Sequence, residues 1–221
     1  MKVENDTVTN SIAAAIRHDI DFSILKPGTK LIEREIAEKY NASHIPVREA
    51  FRILEGDNYV DHTSFTGYIV REYSPEDMME FLEILRFLVE TLISKAIPRY
   101  SQITYYQFES ILEEMSKTKD NDQLIHLYNR FNETAYAPAG LDFSFTLTMK
   151  IYRRNIRYLQ ELLNDSSTRD YAVSIRRKFI AACQTKGPEA GLKIWMDSFN
   201  DLAKKMTVLL SKKKLPEKHN K

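Results

Sequence analysis

Leu31 to Leu54, LIEREIAEKYNASHIPVREAFRIL, is the stretch on which the reading of this chain turns. Over Ile32 to Tyr40 an amphipathic run sets Ile36, Ala37 and Tyr40 at i, i+1 and i+4, so one face of a short helix packs inward. Asn41-Ala42 interrupts that run, and asparagine tolerates the left-handed backbone that closes a helix. Ser43 offers a cap hydroxyl to a second helix, along which Val47, Ala50, Phe51 and Leu54 repeat on an apolar face. Between those inward positions stand His44, Ile45, Arg48 and Arg52. This division, one stripe buried and an exposed first turn able to meet base edges and phosphates, is what a helix–turn–helix requires.

The flanks extend the pattern. Val8 to Ile20 predicts an earlier helix with Ile12, Ile16 and Ile20 in line, and Lys26-Pro27-Gly28 marks the turn after it. Beyond the second helix, Asn58 to Asp61 and Tyr68 to Arg71 are rich in β-formers, and Gly67 suits the positive φ of a tight turn. Helix, turn, helix, helix, hairpin is the order of a winged helix. By themselves, Arg34, Arg48 and Arg52 could be no more than solvated surface charges, the usual state of an exposed arginine.

Residues 25–60, LKPGTKLIEREIAEKYNASHIPVREAFRILEGDNYV, resemble the DNA-binding domain of GntR-type bacterial transcription regulators. The resemblance rests on Pro27-Gly28, Leu31, Glu33-Arg34-Glu35, Pro46-Val47-Arg48-Glu49-Ala50, and Leu54-Glu55 followed by Tyr59-Val60. It implies contacts to a double-stranded operator from Arg34, Ser43, His44, Ile45, Pro46, Arg48 and Arg52, with Thr66 and Gly67 at the tip of the wing. Many members have Arg-Thr where this chain has His44-Ile45, so a bidentate cationic guanine reader is missing at that point.

After Glu72-Tyr73 the texture becomes helical almost without glycine. Ser74-Pro75-Glu76-Asp77 combines a cap hydroxyl, a first-turn proline and acids at the positive end of the dipole, predicting a helix to about Ala96. Further helices are predicted at about Thr104–Ser116, Asp122–Tyr136, Phe143–Leu163, Ser167–Thr185, and from Gly187-Pro188 onward. The expected fold is therefore mainly α: a winged helix-turn-helix over 1–73, then an antiparallel all-α bundle of about six helices over 74–212. Residues 213–221 form a basic tail expected to be disordered; with Lys212 it carries five lysines against one acid.

Ser74-Pro75-Glu76-Asp77, Leu85-Arg86, Glu90 and Ala96 are similar to the first effector-domain helix of the FadR-like branch of the same family. That resemblance implies a domain that pairs into a homodimer and binds a small effector, often a carboxylate. Many such proteins hold a divalent metal, and the corresponding positions here fall on Tyr128, Asn132, Arg177 and Phe199. Phenylalanine cannot coordinate a metal and arginine repels one, so neither a metal nor any other cofactor is expected. With Arg86, these four residues are the expected effector site. If Arg177 faces inward, its guanidinium fork could replace the metal as the anchor of an anion. Equally, it could pair with Glu90 or Glu133, or stand on the surface.

The 221 residues carry a formal charge of only +1, and residues 1–72 hold nine Lys or Arg against twelve Asp or Glu, so any DNA affinity requires its cations gathered on one face. No apolar run reaches the roughly 20 residues of a membrane span, and the single cysteine, Cys183, fits a reducing interior, which points to the cytoplasm. There is no glycine-rich phosphate loop, HExxH or nucleophile elbow, so an enzyme is not expected. Two functions remain: a sequence-specific DNA-binding transcription regulator sensing a small anionic metabolite, or a winged-helix architectural protein with a solid bundle. Gel shifts at fixed salt separate them.

Overall fold

A computed structural model describes residues 3–22, 24–64, 67–72, 74–154 and 156–212, and the chain divides into two compact units, Met1–Tyr73 and Ser74–Lys221.

In the first unit, α1 (Val3–Asp21) packs against α3 (His44–Gly56), and α2 (Glu33–Lys39) completes the trihelical layer. The turn between α2 and α3 closes as the asparagine predicted: Asn41 has φ 49°, and the Ala42 amide donates to the Ala37 carbonyl at 2.9 Å. Val47, Ala50, Phe51 and Leu54 of α3 are all 0% exposed, set against Ile12, Ile16 and Ile20 of α1. Asp19 of α1 accepts hydrogen bonds from Lys39 and from the Tyr40 hydroxyl, the latter at 2.7 Å, which ties α1 to the end of α2. At the other end Arg17 pairs with Asp57 at 2.8 Å.

The wing differs from its expected form in three ways. First, β2 (Val60–Thr63) starts later than predicted, because Asn58 sits in a turn with φ 57°. Second, β3 (Gly67–Val70) begins on Gly67, at φ 76°. Third, β1 (Lys30–Leu31) joins the far edge, giving the antiparallel order β1-β3-β2 with Leu31 opposite Tyr68 and Val60 opposite Val70. The Pro27-Gly28 turn delivers β1 to that edge: Gly28, at φ 79°, donates its amide to the Val70 carbonyl at 2.9 Å. Thr66 lies outside the described residues, as does the tail 213–221.

The second unit is all helical: α4 (Pro75–Ala96), α5 (Gln102–Lys117), α6 (Asn121–Tyr136), α7 (Asp142–Arg154), α8 (Ile156–Leu163), α9 (Ser166–Thr185) and α10 (Pro188–Lys212). The predicted helix Phe143–Leu163 corresponds to α7 and α8, on either side of residue 155. A reciprocal capping box starts α4, with the Asp77 amide donating to Ser74 Oγ at 3.0 Å and the Ser74 amide to Asp77 at 2.8 Å. Helix α10 packs along α4 and α9, while α9 also meets α5 and α8. At the centre Phe108 lies against Phe131 and Phe179 against Trp195, each pair with centroids 4.7 Å apart. This is the winged helix followed by an all-helical bundle that the periodicities predict. Among the described residues no helix is long and apolar enough to cross a membrane.

Candidate nucleic-acid interface and bundle cavity

Helix α3 presents its first turn to solvent. Ser43 is its N-cap residue in an extended conformation (φ −80°, ψ 165°), but its hydroxyl makes no capping hydrogen bond, contrary to expectation. The first amides of α3 therefore lack a side-chain acceptor, and such amides suit a phosphate oxygen. His44 and Ile45 follow, both exposed; Ile45 is 72% exposed and presents a bare apolar group of the kind that meets a thymine methyl. Pro46 is a correction: it is buried, because its position points toward the core beside Val47, and so it shapes the first turn instead of touching a ligand. Gly67, at the start of β3, is only partly exposed.

Arg34, Arg48 and Arg52 are all exposed, and each is engaged by an acid. Arg48 forms a two-pronged pair with Glu33 of α2, Nε to Oε1 and Nη2 to Oε2, both at 3.0 Å. This guanidinium holds the Glu33 carboxyl below its usual range. Arg52 pairs with Glu49 at 2.7 Å and Arg34 with Glu38 at 3.1 Å. Glu33 and Glu38 of α2 and Glu49 of α3 thus answer the arginines of this face, leaving a surface of low net charge whose cations are held in defined positions.

In the second unit, a cavity opens between α6, α7, α8, α9 and α10, with Tyr128, Asn132 and Phe199 among its lining residues. Its buried charged group is Arg176, which is 7% exposed; Lys205 on its wall is exposed. The guanidinium lies 3.8 Å from the Tyr128 ring centroid and 5.1 Å from that of Phe131. Its Nη1 donates to the Ala172 carbonyl at 3.0 Å and its Nη2 to Asn132 Oδ1 at 3.5 Å. Arg176 Nε and Asn132 Nδ2 are buried without a hydrogen-bond partner. Among the described residues no carboxylate lies within ion-pair distance of Arg176.

Two expected effector residues are elsewhere. Arg177 lies on the outer side of α9, about half exposed and 4.0 Å from Glu109, since consecutive helical residues point 100° apart. Arg86 is likewise exposed and lies 4.0 Å from Glu90, on the same helix and outside the cavity. The arginine that lines the cavity is Arg176, one place before the expected Arg177. The signal was present: Thr168, Ala172, Arg176, Phe179 and Cys183 lie on the buried stripe of α9, spaced three and four apart. Tyr171 and Lys205, not among the expected residues, also line the cavity. Among the described residues no cluster of three His, Cys, Asp or Glu could hold a metal ion.

Residues 8–70 match the family model described as bacterial regulatory proteins, gntR family. The chain is 22% identical over 194 residues to the HTH-type transcriptional regulator McbR of Escherichia coli (strain K12), covering 85% of this chain and 87% of that protein. It is 25% identical over 157 residues to the HTH-type transcriptional repressor RspR of the same organism, 69% of each chain. Among solved structures, E. coli McbR/YncC shares a TM-score of 0.78 at 19% identity, over 91% of this chain and 98% of that one. A GntR family member from Pseudomonas syringae pv. tomato str. DC3000 gives 0.57 at 21% identity, over 94% and 87%. At these identities the superpositions speak to the fold.

Proposed function

From the premise that this chain belongs to the GntR family of bacterial transcription regulators, we propose that it is a one-component, metabolite-responsive regulator of the FadR-like kind. Two copies pair through their helical units and set two α3 helices into successive major grooves of a near-palindromic operator. Arg48, His44 and Ile45 read base edges, while Ser43, Arg34 and Arg52 position the helix on the backbone. The bundle cavity receives a small anion from the cytoplasm, anchored by Arg176 with Tyr128, Asn132 and Phe199 around it.

The observation that carries the sensing half is the buried guanidinium of Arg176, whose Nε and neighbouring Asn132 amide have no partner. A buried cation without a counter-charge is costly, and a bound anion relieves that cost. The rival reading, an architectural protein with a solid bundle, gives no reason for a cavity lined by an uncompensated charge.

Fluorescence anisotropy at one fixed salt concentration, with duplexes tiling the DNA beside the gene, tests the DNA-binding half. One duplex is expected to bind well above the rest, and Arg48→Ala to weaken that complex by ~1–3 kcal/mol with little change on the others. Equal affinity for every duplex would favour the architectural protein.

A further inference from the structure

We infer that the cavity takes a singly charged carboxylate with an apolar body, gripped at Arg176 and Asn132 and extending toward α4. This rests on the anion-sensing reading above and narrows it to one chemical class.

The head group follows from a count of charges and donors. Arg176 is the one cation that the cavity buries among the described residues. Lys205, the other cation on its wall, is exposed and lies 5.0 Å from the Tyr171 ring centroid, so water screens it. One desolvated positive charge compensates one negative charge; a phosphate dianion or a citrate would bring further charges into walls that cannot neutralise them. Arg176 Nε and Asn132 Nδ2 are N–H donors that are both buried and unpartnered, on two residues that line this one cavity. A carboxylate offers an oxygen to each.

The body follows from which polar groups are already spent. The Thr168 hydroxyl donates to Asp165 at 2.8 Å and the Ser198 hydroxyl to the Trp195 carbonyl at 2.7 Å. The Tyr136 and Tyr152 hydroxyls satisfy one another at 3.0 Å. A polyhydroxylated acid would find few partners here and would lose its hydration without replacement. The Tyr171 hydroxyl is spent on Asp201 at 2.9 Å, and Leu159, Leu163, Ile175, Phe199 and Leu202 make much of the wall apolar. A second hollow shares Tyr128, Tyr152, Leu159, Phe199 and Leu202 with the first and continues to Leu82 and Leu85 of α4. An apolar body running that way would bridge α9 and α4.

Isothermal titration calorimetry on the full chain tests this with hexanoate and phenylacetate, hexanamide, citrate and inorganic phosphate as probes. The two monocarboxylates are expected to bind at least roughly tenfold tighter than the other three, the size of one charge-assisted contact. Arg176→Gln should abolish that preference, with far-UV circular dichroism reporting whether the helices persist. Asn132→Asp is the second arm: it places a carboxylate beside Arg176, so the chain should melt at a higher temperature while hexanoate affinity falls at least roughly tenfold. Tighter binding of citrate or phosphate, lost in Arg176→Gln, would overturn the monocarboxylate class and leave anion sensing in place. Hexanamide matching hexanoate would overturn the anionic head group. Silence from every probe would remove both readings, while the duplex-binding result stands by itself.

Discussion

At Asp19 a carboxylate sits almost out of solvent between α1 and the end of α2, where Lys39 and the Tyr40 hydroxyl both donate to it. Burial alone would raise its pKa, but these hydrogen bonds and the Lys39 charge outweigh it and hold the carboxyl below its ordinary value. A depressed folded-state pKa contributes stability that is fully present above the unfolded value and is lost as pH falls through the folded one. Urea unfolding of Asp19→Asn should therefore show a loss of ~1–3 kcal/mol near neutrality that shrinks toward zero below the usual carboxylate range. A deficit that stayed constant with pH would assign Asp19 a packing role only. The same scale explains why the expectation fell on Arg177 and not on its neighbour Arg176. Sequence identity distinguishes residue types, whereas one place along a helix turns a side chain by 100°, from the cavity to the surface where Arg177 lies.

Helices α9 and α10 meet at Gly191, where a Cβ would collide with Cys183 Sγ and come within 3.3 Å of Ile97 Cδ1. Alanine has the better helical propensity by about 1 kcal/mol, yet the buried sulfur or the helices would have to shift, and that overpacking is expected to dominate. Gly191→Ala should lower stability by ~1–3 kcal/mol in chemical denaturation. Adding Cys183→Ala removes the obstacle, and the double variant should be at least as stable as Cys183→Ala alone. Simple additivity of the two changes would refute the contact. Elements with long periods were legible in the sequence: the stripes of α1, α3 and α4 and the Ser74 start all lie where residue spacing puts them. Strand β1 was not, since two residues carry no alternation and its place depends on β3, some forty residues away. Asn58 misled for a similar reason, as a left-handed turn residue beside Tyr59 and Val60 reads as the first residue of their strand.

Seen whole, the protein approaches DNA with little charge in its favour. Its formal net charge is +1, and the arginines of the α3 face are matched by Glu33, Glu38 and Glu49. Each phosphate neutralised by a free cation contributes roughly 0.9 to the slope of log affinity against log salt, so six free arginines on a proposed pair of copies would give on the order of −5, and these acid-paired ones are expected to stay at or below it. Anisotropy titrations across a salt series check this, and a slope twice as steep would mean that cations elsewhere carry the binding. The general function was legible because helix–turn–helix geometry is written in local spacing. The cavity was less so, because it gathers α6, α7, α8, α9 and α10, and no short window of sequence contains them all.

The pairing of Arg48 with Glu33 also has a kinetic meaning. An arginine that brings its own counter-ion gains almost nothing from exchanging it for a passing phosphate, so each stop on random sequence should be brief. Only a site that offers a base edge in the right place repays the exchange. Such a protein would scan a chromosome in short visits, with dwell time as the quantity that separates target from background.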